Sequence, residues 1–196
     1  MLQTVYLSLT SLFEFDLLGP LPFLIRPIVE PGEALGLAAQ VAVTLAGFAG
    51  VVVVFRPASV HQWSSLDRFR LRLLLSNSIL PLAYSVIAIF LLTIKPPPES
   101  IWRWCSGVAL TCQIPFAIFN FKAARSLTPT EFKGVNRMLF FPLFGIGIIT
   151  ISLQIYNIAV LNGFWPFFAG ILVHLMAAML QFMRLVLLPQ RNQPTP

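Results

Sequence analysis

Neutral polar side chains recur at helical spacing inside long apolar stretches of this sequence. Ser106, Gln113 and Asn120 are seven residues apart, and His174 and Gln181 repeat the same interval. Because seven residues make about two helical turns, each set lies on one face of a helix. These hydroxyl, amide and imidazole groups can exchange hydrogen bonds with a solute, a lipid head group or a neighbouring helix. Among them, His174 carries the only group whose ordinary pKa lies near neutral pH.

Five polar residues are expected at a similar depth once the helices are placed in a bilayer. They are Thr44, Tyr84, Gln113, Thr150 and His174. Lipid offers no hydrogen bonds, so we expect these residues to face a common interior near the midplane. One interpretation is adhesion between helices, with each hydrogen bond worth roughly 0.6–2 kcal/mol. The other is a small polar cavity that binds a solute or a lipid head group.

Sequence patterns that signal catalysis or metal binding are missing. The chain contains no Cys-x-x-Cys, no His-Glu-x-x-His, no Gly-rich phosphate loop and no Gly-x-Ser-x-Gly. His61 and Asp67 are six residues apart, which matches no known catalytic spacing. Cys105 and Cys112 lie about 10 Å apart along one helix, too far for a disulfide. The sequence therefore predicts no catalytic residues, no metal site and no cofactor.

The composition places the chain among membrane proteins. Of its 196 residues, 57% are hydrophobic and 10% are charged, whereas a soluble domain carries about 25% charged residues. This excludes a soluble enzyme, a disordered chain and a disulfide scaffold. The net charge of +6 comes from basic residues near the ends of the apolar stretches. We expect them to orient the chain or to meet anionic lipid head groups, and we expect no nucleic-acid partner.

Charge-free runs predict an all-α fold, an integral membrane bundle of five transmembrane helices. Three runs cover 34–55, 73–94 and 104–121, with 22, 22 and 18 residues. The next run, 138–183, has 46 residues and forms two spans, because a bilayer core needs roughly 20. The spans are expected near 33–55, 69–94, 101–122, 132–160 and 165–187.

The N-terminal residues are predicted to form a separate interfacial segment. Residues 1–13 are apolar but too short to cross a bilayer, and Glu14 and Asp16 follow at once. Pro20 and Pro22 then interrupt any helix. We expect this segment to lie in the membrane interface, with a sixth, broken span as the alternative. The domain organisation is an interfacial segment at 1–32, a transmembrane domain at 33–188 and a short cytoplasmic tail at 189–196.

Basic residues mark one side of the membrane. They gather in the loops 56–72 and 122–137 and in the C-terminal tail, while most acidic residues fall on the other side. By the positive-inside rule, the N-terminus lies outside and the C-terminus lies in the cytoplasm of a cell-membrane protein. Asp67 pairs with Arg70 if both lie on one helix. The residues expected to contact anionic lipid or a partner are Arg68, Arg70, Arg72, Lys122, Arg125, Lys133 and Arg137. The alternative is that these residues only orient the chain.

Helix starts and helix kinks can also be placed. Ser64 precedes Asp67 by three residues, and Thr128 precedes Glu131 by three, which is the spacing of a helix-capping box. Both helices therefore begin on the basic side. Three spans contain an internal proline, which removes an N–H group and frees a backbone carbonyl. These prolines are Pro81, Pro115 and Pro142.

Small residues recur every four positions in the first span, at Ala38, Ala42, Ala46 and Gly50. Four-residue spacing predicts one face on which another backbone can approach closely. That neighbour is either a helix of the same chain or a second copy in a homo-oligomer, and the spacing does not separate the two.

One stretch of the chain resembles a known kind of protein. Residues 46–56 read AGFAGVVVVFR, Trp63 and Ser64 follow, and residues 67–72 read DRFRLR. This region, 40–72, resembles a widespread group of small bacterial multi-pass membrane proteins with no assigned activity. The resemblance implies a bacterial cytoplasmic membrane and brings no catalytic residues with it.

Two functions follow as hypotheses. The first is a non-enzymatic integral membrane protein that acts through helix assembly or through lipid and partner contacts of its basic cytoplasmic loops. The alternative is a small transporter or channel that uses a neutral polar cavity at the midplane and oligomerises to enclose a pathway. An intramembrane enzyme is the weakest hypothesis, because the sequence offers no nucleophile or metal set.

Overall fold

The computed structural model describes residues 29–55, 63–125 and 137–187, and all regular structure in these ranges is helical. Each of five helices is long and apolar enough to cross a membrane, so the predicted five-helix membrane bundle is confirmed. The helices are α1 (Pro31–Phe55), α2 (Ser65–Thr93), α3 (Ile101–Arg125), α4 (Arg137–Tyr156, continued by a π-helical turn, Asn157–Leu161) and α5 (Phe164–Leu187).

Some predictions concern residues outside these ranges. The interfacial segment lies almost wholly outside the described residues, as do the broken-span alternative, the cytoplasmic tail and the cap at Thr128. The chain divides after Glu30, and the helices belong to the compact unit that begins at Pro31.

Helix α2 begins at the predicted cap. Ser64 has an extended backbone, and its Oγ accepts a hydrogen bond from the Asp67 N–H at 3.1 Å. This bond satisfies one of the N–H groups that a helix start leaves without an intrahelical partner. Asp67 also places a negative charge in the first turn, which favours the positive end of the helix dipole.

Helices α2 and α5 form the centre of the bundle. In each, 39% of the most apolar window is buried, against 17–22% in the other three helices. Helix α2 packs against α1, α3 and α5, and α5 also packs against α1 and α4. Fully buried alanines such as Ala42, Ala88 and Ala178 allow close packing of the backbones. Large apolar side chains such as Ile149 and Met176 lie on the outer surface, where lipid solvates them.

The predicted four-residue stripe on α1 does not form one packing face. Ala38 and Ala42 are buried, but Ala46 is only half-buried and Gly50 is exposed. Each four-residue step turns about 40° around the helix, so three steps move Gly50 about 120° away from Ala38. The buried line instead alternates steps of three and four residues, at Leu35, Ala38, Ala42, Leu45 and Ala49. Within this chain, Gly50 therefore lies off the buried face and Ala46 lies at its edge, while contact of the stripe with a second copy stays a prediction.

An asparagine joins the α4–α5 turn to the start of α3. Asn162 adopts a left-handed backbone conformation with φ of 46°, which asparagine tolerates better than most residues. Its Nδ2 donates to the Glu99 carbonyl at 2.7 Å, and its Oδ1 accepts from the Arg103 N–H at 3.2 Å. Asn162 thus lies in the turn between α4 and α5 and also caps the first turn of α3.

Candidate functional site

His174 and Asn77 join the two central helices through a buried hydrogen bond. His174 Nδ1 lies 2.8 Å from Asn77 Oδ1. Asn77 Nδ2 donates to the Leu73 carbonyl at 2.7 Å, which orients the amide so that Oδ1 is the acceptor. His174 Nδ1 must therefore carry the proton, and the neutral ring leaves Nε2 as an acceptor. That Nε2 is buried and has no hydrogen-bond partner.

Aromatic rings from two helices surround the imidazole. The rings of Tyr84 and Phe116 each lie 6.1 Å from the His174 ring, measured between centroids. The Tyr84 hydroxyl donates to the Ala109 carbonyl of α3 at 3.2 Å. Helices α2, α3 and α5 therefore meet around His174. We call His174, Asn77, Tyr84 and Phe116 the His174 cluster.

A second set of polar residues ties α4 to its neighbours. Gln154 Nε2 donates to the Pro166 carbonyl of α5 at 2.9 Å. Gly170 leaves room for this amide, since a Cβ at that position would lie 2.6 Å from Gln154 Nε2. Asn157 Nδ2 donates to Ser106 Oγ of α3 at 2.7 Å. Amides therefore join α4 to both α5 and α3.

Several buried polar atoms in the described residues have no hydrogen-bond partner. They are Ser85 Oγ, Asn120 Oδ1, Gln154 Oε1, His174 Nε2 and Gln181 Oε1. Other buried hydroxyls are satisfied within their own helix, as in the bond from Ser78 Oγ to the Leu74 carbonyl at 2.9 Å. A buried polar atom without a hydrogen-bond partner costs free energy. A bound water or small solute would therefore stabilise the chain most by forming a hydrogen bond at one of these atoms.

The predicted midplane set is only partly brought together. Tyr84, Gln113, Thr150 and His174 are buried, and of these Tyr84 and His174 are in ring contact. Thr150 instead lies with Gln154 near Gly170. Thr44 is exposed on the outer face of α1, so its placement in the interior was wrong. The exposed position is tolerated because the Thr44 hydroxyl donates to the Gln40 carbonyl of its own helix at 2.8 Å and needs no interior partner.

Asn77, the hydrogen-bond partner of His174, is not among the site residues predicted from the sequence. One signal was available, because Asn77 lies four residues before Pro81. A proline at this position removes the N–H that would bond to the Asn77 carbonyl. The described residues contain no group of three or more His, Cys, Asp or Glu side chains that could hold a metal ion.

Two grooves open on the outer surface of the bundle. One, of about 660 Å³, follows α3 beside Ile158 of the π-helical turn. The other, of about 480 Å³, is lined by Ala39, Gln40, Val43 and Thr44 of α1. The buried members of the midplane set line neither groove.

Basic side chains gather where α2 begins and where α3 and α5 end, and we call this region the basic end. Its described members are Arg68, Arg70, Arg72, Lys122, Arg125 and Arg184. Asp67 is the one acidic residue among the described residues there, and it forms a 3.3 Å ion pair with the buried Arg70, as predicted. Lys133 and the side chain of Arg137 lie outside the described residues.

Two guanidinium groups at the basic end lie near aromatic rings, and the Arg72 contact is the closer of the two. Arg72 Cζ of α2 lies 3.3 Å from the centroid of the Phe119 ring of α3. Arg125 Cζ lies 5.4 Å from the centroid of the Phe121 ring. The Arg72 contact brings the start of α2 against the end of α3, so the cations of both helices share one surface.

Comparison of the chain with protein-family models, with curated proteins and with solved structures finds no match.

Proposed function

We propose that this chain is a non-enzymatic multi-pass protein of a bacterial cell membrane whose basic end faces the cytoplasm and binds anionic lipid head groups. The observation that supports this proposal is the grouping of cations from three helices on one surface where the described residues contain a single acid, already paired with Arg70. Anionic lipid in the cytoplasmic leaflet attracts such a surface.

The position of the α2 arginines supports a role beyond helix stability. Lys122, Arg125 and Arg184 lie in the last turns of their helices, where the negative end of the helix dipole favours cations. Arg68 instead lies in the first turn of α2, at the positive end, and Arg70 and Arg72 follow in the second turn. At the exposed Arg68 the helix dipole disfavours the positive charge by about 0.3–1 kcal/mol. A negatively charged partner outside the chain would compensate for this cost.

Three of these cations are available to lipid. Arg70 is committed to Asp67 and Arg72 packs on Phe119, but Arg68, Lys122 and Arg125 are exposed. A basic residue near an anionic membrane surface contributes about 1 kcal/mol. Three such residues then favour anionic over neutral lipid by up to about a hundredfold.

The test measures which lipids stay bound to the purified full chain. Protein is extracted from vesicles that contain phosphatidylcholine and phosphatidylglycerol, and the retained lipids are counted by native mass spectrometry. We expect phosphatidylglycerol to be enriched, and we expect added salt to reduce the enrichment. The triple variant Arg68→Gln, Lys122→Gln, Arg125→Gln should lose it.

The matched control keeps the charge at the same three positions. The variant Arg68→Lys, Lys122→Arg, Arg125→Lys should retain the enrichment, because a surface attraction depends on charge rather than on side-chain shape. Equal retention of the two lipids by the unmodified chain would overturn the proposal, as would an unchanged enrichment in the glutamine variant. The orientation is tested separately by reporter fusions at the C-terminus, which should lie in the cytoplasm.

The second candidate is a small oligomeric transporter or channel that uses the buried polar residues. The observation that favours it is that buried polar atoms on several helices, His174 Nε2 among them, have no hydrogen-bond partner in the described residues. Vesicles that contain the purified chain would then conduct a small solute or ion, and His174→Leu would abolish this flux without loss of the folded protein. Equal flux with and without the chain would eliminate this candidate.

A further inference from the structure

A groove on α3 lies at the opposite end of the bundle from the basic end. It runs from the residues that precede α3 into the first half of that helix, with Ile158 on its other wall. The residues that matter here are Ser100, Arg103, Trp104, Gly107, Thr111 and Cys112. From Ser100 to Cys112 the helix rises roughly 18 Å, close to half of the ~30 Å hydrocarbon layer. The groove therefore extends about as deep as one leaflet.

Small side chains make this groove. At Gly107 an added Cβ would meet nothing within 4 Å, so the space beside the helix is open. The Thr111 hydroxyl donates to the Gly107 carbonyl at 2.8 Å, which leaves a methyl group as the surface that Thr111 offers. An extended peptide in this apolar groove would leave backbone groups without partners, whereas a hydrocarbon chain needs none.

A cation stands at the mouth of the groove. Arg103 is exposed and forms no ion pair with any described residue, although Glu99 precedes it by only four residues. The bond from its backbone N–H to Asn162 Oδ1 fixes the start of the helix that carries it. Trp104 is 67% exposed beside it, and exposed tryptophan is typical of the level of the lipid head groups.

We propose that this groove binds one glycerophospholipid of the leaflet opposite the basic end. One acyl chain lies along Gly107 and Thr111, and the phosphate contacts the Arg103 guanidinium. The charge at the mouth complements the phosphate, and the open apolar length below it suits a single chain. This site shares no residue with the basic end, so this proposal and the proposed function can be tested, and refuted, independently.

Cys112 provides a local readout of the groove. It is exposed and lines the groove, whereas Cys105 is buried. The full chain in detergent micelles is alkylated with a maleimide while dioleoyl phosphatidylglycerol is added, and the rate at Cys112 is followed by mass spectrometry. We expect the phospholipid to slow the reaction. Dioleoylglycerol, which has the same chains but no phosphate, should protect only at about tenfold higher concentration.

Variants separate the two parts of the site. Arg103→Gln should raise the half-protecting phospholipid concentration about tenfold, and Gly107→Phe should remove the dependence on lipid by filling the groove. The matched control is Gly36→Phe, because Gly36 on α1 also has nothing within 4 Å of an added Cβ. This control should behave as the unmodified chain, as should the glutamine triple variant of the basic end.

Two results would overturn the inference. One is equal protection of Cys112 by the phospholipid and by dioleoylglycerol, and the other is an unchanged half-protecting concentration in Arg103→Gln. Folding of each variant is checked by size-exclusion chromatography. If Gly107→Phe does not fold, the comparison between the unmodified chain and Arg103→Gln decides the question alone.

Discussion

The effect of Gly170→Ala on the free energy of unfolding should change sign when Gln154 is replaced by alanine. A Cβ at 170 would lie 2.6 Å from Gln154 Nε2 and 3.5 Å from Thr150 Cγ2. Gln154 is 1% exposed and donates to the Pro166 carbonyl, so its amide cannot move aside without losing that bond. A buried amide left without a partner costs about 1–3 kcal/mol.

Two opposing contributions decide the size of this effect. Alanine in a helix interior is favoured over glycine by about 1 kcal/mol. The displaced amide costs about 2 kcal/mol, so the variant should be destabilised by about 1 kcal/mol. In a chain that carries Gln154→Ala, the amide is gone and only the helix preference remains. Gly170→Ala should then stabilise by about 1 kcal/mol, which makes the coupling between the two positions about 2 kcal/mol.

The assay is reversible unfolding in mixed micelles by increasing the fraction of a denaturing detergent, measured for the unmodified chain, both single variants and the double variant. The control is Gly147→Ala on α4, where an added Cβ meets nothing within 4 Å and only the helix preference should act. If Gly170→Ala stabilises the unmodified chain as much as it stabilises the Gln154→Ala chain, the steric argument is refuted.

Three further predictions use the same unfolding measurement. His174→Leu should destabilise the chain by about 1–3 kcal/mol. The double variant with Asn77→Leu should lose less stability than the sum of the two single variants, because the two side chains are hydrogen-bonded. Additive losses would contradict that bond. Asn162→Ala should lower the stability by about 1–3 kcal/mol, since it loses two hydrogen bonds and places alanine at positive φ. Asn162→Gly should recover the part that is due to the positive φ, because glycine adopts that conformation without strain. Ser64→Ala should cost about 1 kcal/mol through loss of the α2 cap, while Ser64→Asp should keep the stability of the original; equal losses in both would argue against capping.

The parts of the fold that depend on local chemistry could be predicted from the sequence. The length of a charge-free run determines whether a helix can cross a bilayer, and the five spans follow from that rule alone. The α2 start at Ser64 follows from the three-residue spacing between Ser64 and Asp67, which lets the Ser64 hydroxyl accept from the Asp67 N–H. The face that α1 buries could not be predicted in this way. It depends on where α2 and α5 lie, because small residues on α1 occur on both faces: Gly47 and Gly50 are exposed, whereas Ala38 and Ala42 are buried.

The misplacement of Thr44 has a general physical cause. A hydroxyl has one proton to donate, and a carbonyl of the preceding turn of the same helix can accept it. Thr44 and Thr111 make such bonds and are exposed, whereas Ser78 and Thr150 make the same kind of bond and are buried. A hydroxyl in an apolar helix therefore does not predict which face turns inward.

Amides behave differently because one turn of helix cannot satisfy all of their hydrogen-bonding atoms. Asn77 gives one proton to the Leu73 carbonyl and still has an oxygen that accepts from His174. Asn157 uses both ends of its amide, with Ser106 and with Gly163. The remaining hydrogen-bonding atoms must find another helix, since lipid offers no partner. In this bundle, such side chains join α2 to α5 through Asn77 and His174, and α4 to α5 and α3 through Gln154 and Asn157. The buried positions that still offer a hydrogen bond to a solute are those where such a group keeps an unpaired atom, as His174 does at Nε2.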